Sequence, residues 1–290
     1  MAESTSSSTN ILALVNSTID LPTMPEVLVK LNTVMTDPET SAEDVAKIVS
    51  VDPAVATNIL RIVNSAYYGL QVRVSSVSLA ISVMGFSMTK KVALKAAVFS
   101  ALGKRRQKVA HFDPSSFWKH AVFVGVAARV LADASGRFDD MHPEDAYIAG
   151  LLHDIGKIIL MEKAEDRYGK ALRKSVEQGR PEVEVELEEL GFTHADVGSV
   201  LAIKWSLPED LAIAIRYHHA PGRDPYHRSL SSLIHLADQL AWRAQTPSTV
   251  GTTPAPLDHD VYEAVGLSPE QVEELLPQIH QQFSDSELPW

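Results

Sequence analysis

The chain lacks cysteine, and it lacks any long uninterrupted apolar segment. Without cysteine there are no disulfide bonds and no thiolate metal sites, so imidazoles and carboxylates are the side chains left to bind a metal ion. No apolar run approaches the ~20 residues that span a bilayer. Residues 1–10 are rich in Ser and Thr and do not have the basic-then-apolar order of a signal peptide. We therefore expect a cytoplasmic protein with no membrane partner.

An excess of positive charge is also missing. The chain has 26 Lys and Arg residues against 37 Asp and Glu residues, which gives a formal net charge of −11. A surface of this sign repels a phosphate backbone, so nucleic acid binding would need a local basic patch. The densest basic stretch, residues 104–108, carries four positive charges and is explained equally well by a solvated helix end. We expect no nucleic-acid partner.

Strand-like alternation is nearly absent, whereas apolar residues recur at helical spacing along most of the chain. Proline and N-cap residues mark the starts of many of these segments. The predicted starts are Pro25, Ser41, Asp52-Pro53, Asp113-Pro114, Pro143, Thr193, Pro208 and Ser268-Pro269. Gly85 is predicted to separate two helices, and single helices are predicted from Asp113 to about Gly136 and from Pro143 to about Met161. The fold class that follows is all-α.

Changes in composition suggest where the domains divide. The stretch 101–113 is polar and basic between two helical blocks, and 245–258 is rich in Pro, Thr and Gly. We predict a flexible tail over 1–20, an N-terminal helical half over 21–105, a metal-site half over 106–244, and a linker with a C-terminal helix over 245–290.

Side chains of metal-ligand type are concentrated in the predicted metal-site half. Neutral imidazoles suit transition metals, and a carboxylate can bridge two ions, so a helical scaffold that brings these groups together would hold one or two metals. The candidates, which include five of the eleven histidines, are His120, His153, Asp154, His194, His218, His219 and Asp238.

Lys157 belongs to the same group of residues. At helical spacing it lies four residues from His153 and three from Asp154, on one face. In the functional interpretation the imidazole and carboxylate share a metal, and the ammonium lies where a metal-bound phosphate would sit. In the alternative interpretation Asp154 and Lys157 form a buried ion pair beside a core histidine. Both remain open from these residues alone.

The other candidates also have alternatives. A single histidine in an apolar helix, such as His120, is more often a core residue than a ligand. His218 and His219 would be about 100° apart on a helix, so both reach one centre only if two ions, or one ion and a substrate, lie between them. One of them could instead be an exposed histidine at a helix end. His235 shares a face with Asp238, and Asp238 is preferred because it completes the set.

The order His120, His153-Asp154, Asp238 resembles the HD superfamily of metal-dependent phosphohydrolases, which are all-helical. The resemblance is closest to one branch, the HDOD (HD-related output) domain, and covers roughly residues 21–241. The segments that carry it are 21–25, 48–53, 60–65, 76–85, 117–120, 149–157 and 234–238. It implies a multi-helix HD fold with an N-terminal helical subdomain, in a bacterial signalling protein.

Many HDOD domains have lost the ligands needed for hydrolysis, and this chain retains them. The seven candidate ligands and Lys157 match, in order, the binuclear site of the related HD-GYP phosphodiesterases of cyclic di-GMP. After His218-His219, however, residues 220–226 read APGRDPY instead of a glutamate followed by a Gly-Tyr-Pro loop. The resemblance therefore does not carry specificity for cyclic di-GMP to this chain.

Two classes of function follow. The favoured class is a signalling module that binds a protein partner of unknown identity, with a structural or regulatory metal site. The alternative is a metal-dependent phosphohydrolase acting on a nucleotide or cyclic dinucleotide, in which Asp154 bridges two ions and Lys157 neutralises developing charge. The ligand would then be a phosphate-containing small molecule. Iron or manganese is the expected divalent metal, with zinc as the alternative.

Overall fold

The structure is a computed structural model of the 290-residue chain. It describes residues 26–34, 37, 39–51, 53–64, 70, 72–102, 112–138, 141, 143–205, 207–226, 228–246, 248–249 and 252–286. These residues form fourteen α-helices and no β-strand, with one isolated β-bridge between Pro181 and Thr253. The predicted all-α fold is confirmed.

Several predicted features lie outside the described residues. They are the tail over 1–20, the helix-start residues Pro25 and Asp52, and the basic stretch over 104–108.

The described chain divides into two compact units, one within residues 22–105 and one from residue 106 onward. The first unit contains α1 (Glu26–Val34), α2 (Ala42–Val49), α3 (Pro53–Val63) and α4 (Val77–Leu102). The second unit contains α5 (Pro114–Ser135), α6 (Pro143–Leu152), α7 (Ile155–Lys163), α8 (Glu165–Gln178), α9 (Glu182–Leu190), α10 (His194–Lys204), α11 (Glu209–Tyr217), α12 (Arg228–Arg243), α13 (Val261–Val265) and α14 (Pro269–Ser284).

In the first unit, sequence signals and structure agree closely. Ser41 and Asp44 form the predicted capping box at the start of α2, and they satisfy backbone N–H groups that the helix itself leaves without partners. Gly85 interrupts α4 with φ of 78°, a value that favours glycine, so the predicted separation of two helices is confirmed. No described helix is by itself long and apolar enough to cross a bilayer; Val77–Phe86 and Met88–Leu94 meet that test only together, across a 109° bend.

In the second unit, α5 is the central helix. Asp113 caps its start, Pro114 occupies its first turn, and Gly136 ends it in the left-handed conformation, as predicted. Fourteen of its residues are buried, because α6, α12 and α14 pack around it. A helix that is apolar on nearly every side needs such cover to be stable.

Two glycines bring α5 and α6 into direct backbone contact. A Cβ atom added at Gly150 would lie 2.8 Å from the Cα and N atoms of Gly125, which leaves no room for a side chain. The crossing point lies one turn before His153, which follows α6, and five residues after His120 on α5. It therefore sets how closely these two imidazoles approach each other.

One predicted helix is wrong in its continuity. The segment predicted as a single helix from Pro143 to about Met161 is broken at His153 and Asp154, between α6 and α7. The imidazole of His153 donates from Nδ1 to the Gly150 carbonyl at 2.6 Å, so a side chain takes an acceptor that an unbroken helix would use. The break points both side chains into the interior, where they are 0% and 2% exposed.

Candidate metal centre

The structure brings all seven predicted ligands into one buried cluster inside the second unit. His120 comes from α5, His153 and Asp154 from the α6–α7 break, and His194 from the first residue of α10. The remaining three are His218 and His219, which follow α11, and Asp238 on α12. Six of them are at most 2% exposed, and His219 has a side chain that is 16% exposed.

The first set of potential ligand atoms lies between α5, α6 and α12. The Nε2 atom of His120 is 3.2 Å from His153 Nε2 and 3.2 Å from Asp238 Oδ1. Asp154 Oδ2 lies 3.7 Å from His120 Nε2 and 3.5 Å from His153 Nε2. With metal–ligand bonds of about 2.1 Å, neighbouring ligand atoms are roughly 3.0–3.4 Å apart, so these separations suit one ion.

The second set lies on the other side of Asp154. The Oδ1 atom of Asp154 is 3.0 Å from His194 Nε2 and 3.7 Å from His218 Nε2. The Nε2 atoms of His194 and His219 are 3.0 Å apart. The potential ligand atoms of these four residues all lie within 4.8 Å of one another.

The positions of His218 and His219 differ from the helical interpretation. Helix α11 ends at Tyr217, so neither residue lies within the helix and the spacing of 100° does not apply to them. Their rings are neighbours, with centroids 3.9 Å apart and planes tilted by 47°, and both contribute to the same set of ligand atoms. Both rings can reach the same set because the helix ends at Tyr217 and the chain then turns, which places both side chains on the side that faces Asp154.

Three of the imidazoles are oriented by backbone carbonyls. His120 donates from Nδ1 to Thr246, His153 to Gly150, and His218 to Ile215, each at 2.6 Å. A carbonyl only accepts, so Nδ1 carries the hydrogen in each case and Nε2 is left to face the interior. Metal-binding histidines have this same arrangement, in which the outer nitrogen is held by a carbonyl or carboxylate.

The inward-facing atoms need a cation between them. The Nε2 atoms of His120 and His153, 3.2 Å apart, would direct lone pair against lone pair unless a proton or a metal ion lies between them, because both rings carry their hydrogen on Nδ1. Asp154 Oδ1, His218 Nε2 and His219 Nδ1 are buried without a hydrogen-bond partner. Buried polar atoms of this kind are rare and costly, so the donor set fits bound divalent metal.

The charges around the cluster favour the same conclusion. Burial opposes ionisation of Asp238, but the neighbouring His120 imidazole outweighs it and lowers the pKa of Asp238 to about 2. Burial lowers the pKa of His218 to about 4, so its imidazole is neutral at pH 7 and able to bind a metal. Burial also acts to lower the pKa of His194, but the Glu186 and Asp154 carboxylates together outweigh this and raise it to about 10 in the metal-free protein.

Lys157 lies beside Asp154, as predicted, and its ammonium is fully paired. It is 3.0 Å from Asp154 Oδ2 and donates to Glu182 at 3.1 Å and to Ser248 at 2.8 Å. Burial acts to lower the pKa of Lys157, but the charges of Asp154 and Glu182 outweigh it and raise that pKa, so the group remains protonated. The ion pair of the alternative interpretation is therefore present alongside the cluster of ligand atoms.

Sequence reasoning missed two buried glutamates next to the cluster. Glu182 and Glu186, one turn apart on α9, are 6% and 0% exposed and lie with His194 in a third group of potential ligand atoms. Their segment, EVEVELEEL, looks like a solvated acidic helix. The i, i+4 spacing of the two glutamates was the available signal, but it is common on exposed helices.

His235 is placed away from the potential ligands by its hydrogen bonds. Its Nδ1 atom donates to the His218 carbonyl at 2.7 Å, and its Nε2 atom accepts from the Asp258 N–H at 3.2 Å. Both ring nitrogens are thus used by the backbone. Asp238, one turn along the same helix, instead faces the His120 imidazole at 3.2 Å.

A pocket leads from the surface of the second unit to the cluster. It has a volume of about 10 Å³, room for roughly one water molecule. Its wall includes both carboxylates of the predicted ligand set, Lys157, and part of the segment after α12, which the sequence predicts as a loop or linker. The lining residues from that segment are Ser248, Thr253, Pro254 and Ala255.

Comparison with known proteins identifies relatives of this chain. Residues 21–221 match the HDOD domain family. A protein of Treponema pallidum (strain Nichols), named only as uncharacterized, is 27% identical over 220 residues, which are 76% of this chain and 42% of that protein. This chain therefore spans less than half of that relative's length.

Solved structures share the fold. An HDOD domain protein of unknown function from Geobacter sulfurreducens is 20% identical with a TM-score of 0.74, over 96% of this chain and 94% of that one. A proposed signal transduction protein from Marinobacter aquaeolei VT8 is 25% identical with a TM-score of 0.74, over 98% of this chain and 64% of that one. A proposed phosphohydrolase from Shewanella amazonensis SB2B is 22% identical with a TM-score of 0.68, over 94% of this chain and 97% of that one.

Proposed function

The chain belongs to the HDOD domain family, and from that premise we propose that it is a bacterial signalling protein with a regulatory, binuclear metal centre. The observation that carries the proposal is the position of Asp154. One of its oxygens faces His120 and His153, and the other faces His194 and His218. A buried carboxylate placed between two sets of imidazoles is the arrangement that bridges two cations.

The residues that would hold the first ion are His120, His153 and Asp238 with Asp154 Oδ2, and those for the second are His194, His218 and His219 with Asp154 Oδ1. Mixed nitrogen and oxygen ligands suit iron or manganese, with zinc as the alternative. Bound divalent ions would supply Lewis acidity towards a phosphoryl oxygen or water.

The charge balance supports bound divalent metal. If ionised, Asp154, Asp238, Glu182 and Glu186 place four negative charges around one ammonium, that of Lys157. With neutral imidazoles three negative charges remain in a buried region, where unpaired charge is costly. One divalent ion would leave one negative charge and two would leave one positive charge, so either number reduces the imbalance to one charge.

A phosphohydrolase is the second candidate function, and the pocket favours it. Asp154, His219 and Asp238 line that pocket together with Lys157, so a small ligand could reach both sets of potential metal ligands. The pocket is small, and the Lys157 ammonium already has three partners. These features leave room for about one water molecule beside the cluster and none for an enclosed cyclic dinucleotide.

Metal content tests the proposed centre. We expect the purified chain, loaded with Mn²⁺ and dialysed, to hold two ions per chain. Asp154→Asn should hold at most one, because the amide removes the charge and one oxygen from the shared position. Asp133→Asn, a change of the same kind at an exposed position, should still hold two. A wild-type chain that binds no ion would contradict the proposal.

Turnover separates the two candidate functions. A signalling role predicts no hydrolysis of cyclic di-GMP or of a model phosphodiester by the Mn²⁺-loaded chain. Hydrolysis that Asp154→Asn abolishes and Asp133→Asn leaves unchanged would instead assign the chain to the phosphohydrolases.

A further inference from the structure

Helix α9 turns two glutamates towards the metal centre. Glu182 and Glu186 are buried, whereas Glu184, Leu187 and Glu188 of the same helix are exposed. An exposed leucine beside two buried glutamates reverses the usual distribution of apolar and acidic side chains. Burial of an acidic side chain is costly unless it is paired, so the partners of Glu182 and Glu186 decide what these two residues do.

Glu186 holds His194 at two points. Its carboxylate accepts from the backbone N–H of His194 and from the imidazole Nδ1, both at 2.8 Å. The first contact satisfies an N–H of the first turn of α10, which the helix leaves without a partner. The second places the hydrogen on Nδ1, so that Nε2 faces Asp154 Oδ1 at 3.0 Å. Glu186 therefore sets both the position and the tautomer of this imidazole.

Glu182 acts on Asp154 through Lys157. It accepts from the hydroxyl of Tyr168 at 2.6 Å and from the Lys157 ammonium at 3.1 Å. Lys157 in turn lies 3.0 Å from Asp154 Oδ2. The chain of contacts limits rotation of the Asp154 carboxylate, whose other oxygen belongs to the second set.

We propose that Glu186 is a positioning residue that determines whether the second ion, at His194, His218 and His219, is bound, and that Glu182 positions the Asp154 carboxylate that both ions share. The inference rests on the proposed binuclear centre and adds to it the element that controls one of its two halves. Neither glutamate is proposed as a ligand. Glu186 acts through His194, and Glu182 acts through Lys157 on Asp154.

The first set is expected to be insensitive to Glu186. Its two imidazoles, His120 and His153, are held by the backbone carbonyls of Thr246 and Gly150, with no contribution from either glutamate. Substitution of Glu186 should therefore remove the second ion and leave the first. A general loss of structure would instead weaken the binding of both ions.

The experiment is a metal titration of the full chain carrying Glu186→Gln. Glutamine has nearly the same shape but is uncharged, and with its oxygen on the two N–H groups of His194 its NH2 group would lie 2.8 Å from Nδ1–H, donor against donor, where the carboxylate has a second oxygen. We expect the second Mn²⁺ to bind ~10- to 100-fold more weakly, the magnitude seen on loss of a partner of a metal-binding histidine, and the first to bind as in the wild type. Glu182→Gln should weaken the second ion less, because Lys157 keeps Ser248 and Asp154 as partners.

Glu184→Gln is the matched control, because Glu184 is exposed on the same helix. It should bind both ions with wild-type affinity. Circular dichroism and thermal unfolding of each metal-free variant establish that it is folded, and the absorption spectrum of the Co²⁺-loaded chain reports separately on the coordination of each ion. Two ions bound to Glu186→Gln with wild-type affinities would overturn the inference while leaving the binuclear centre intact. Equal weakening of both ions would also overturn it, whereas a wild-type chain without bound metal would contradict the proposed function itself.

Discussion

Gly156 provides the sharpest test of how the second half of the centre is built. It lies in the first turn of α7, where this helix packs against α10. A Cβ atom at position 156 would lie 1.9 Å from the backbone oxygen of His194 and 2.7 Å from the backbone nitrogen of Gly198. Both neighbouring atoms are backbone, so no side chain can rotate away to make room. Gly156→Ala should therefore push the two helices apart.

The size of the displacement follows from the contact. Carbon–oxygen contacts lie at about 3.3–3.6 Å, so α10 would have to move by roughly 1.5 Å. His194 is the first residue of α10, and its Nε2 is 3.0 Å from Asp154 Oδ1. A displacement of that size would take the pair beyond the roughly 3.0–3.4 Å that two neighbouring ligands of one ion allow. We expect affinity for the second ion to fall at least ~10- to 100-fold.

Stability should change in the same direction. Alanine is favoured over glycine in a helix by ~1 kcal/mol, which alone would stabilise the variant. Overpacking against rigid backbone costs ~1–3 kcal/mol, so the net effect is expected to be a loss on the order of 1 kcal/mol. Helix propensity is thus the smaller of the two opposing effects.

The assay is Mn²⁺ stoichiometry by equilibrium dialysis, with urea unfolding of the metal-free chain. Gly222→Ala is the control, because its Cβ would lie 3.5 Å from the nearest atom, an ordinary contact. The reasoning is refuted if Gly156→Ala binds both ions as tightly as the wild type and unfolds at the same or a higher urea concentration.

Two further predictions concern hydrogen bonds and charge. His235→Ala should lower the free energy of unfolding by about 2 kcal/mol, because the His218 carbonyl and the Asp258 N–H lose a partner. The variant should still bind two ions at saturating Mn²⁺. Loss of an ion at saturation would show that His235 is a ligand. Hydrogen bonds from two lysines of α8 lower the pKa of Glu189 from 4.5 to about 2, so its contribution to stability is present above pH 4.5 and lost as the pH falls through 2. Glu189→Gln should therefore lower the melting temperature of the metal-free chain at pH 7 and much less at pH 2, and an equal difference at both pH values would contradict the assignment.

Local signals predicted the ends of helices well. The capping boxes that begin at Ser41, Thr193 and Ser268 are present, and the long helix over 114–135 begins and ends where its sequence indicates. These features depend on contacts between residues about three positions apart, so a short stretch of sequence contains all the atoms involved. Periodicity predicted the all-α fold for a similar reason, because it reports which side of each segment is buried.

Contacts between segments far apart in the chain could not be predicted from local sequence patterns. The break at His153-Asp154 depends on a side chain competing with the backbone, and the burial of Glu186 depends on where α10 begins. Ser248 follows α12 by a few residues but bonds to Lys157 on α7. The residues adjacent in sequence to each of these side chains do not indicate which distant group it will bond to.

By itself, the sequence of this protein determined its helices, their caps and the kinds of side chain available to a metal centre. It contains seven imidazole and carboxylate groups in a recognisable order because the chemistry of a ligand belongs to the residue type. The tertiary structure decided that Asp154 faces two sets of imidazoles and that His235 faces the backbone. Such orientations depend on distances of about 3 Å between helices far apart in the chain, and packing of the whole unit sets those distances.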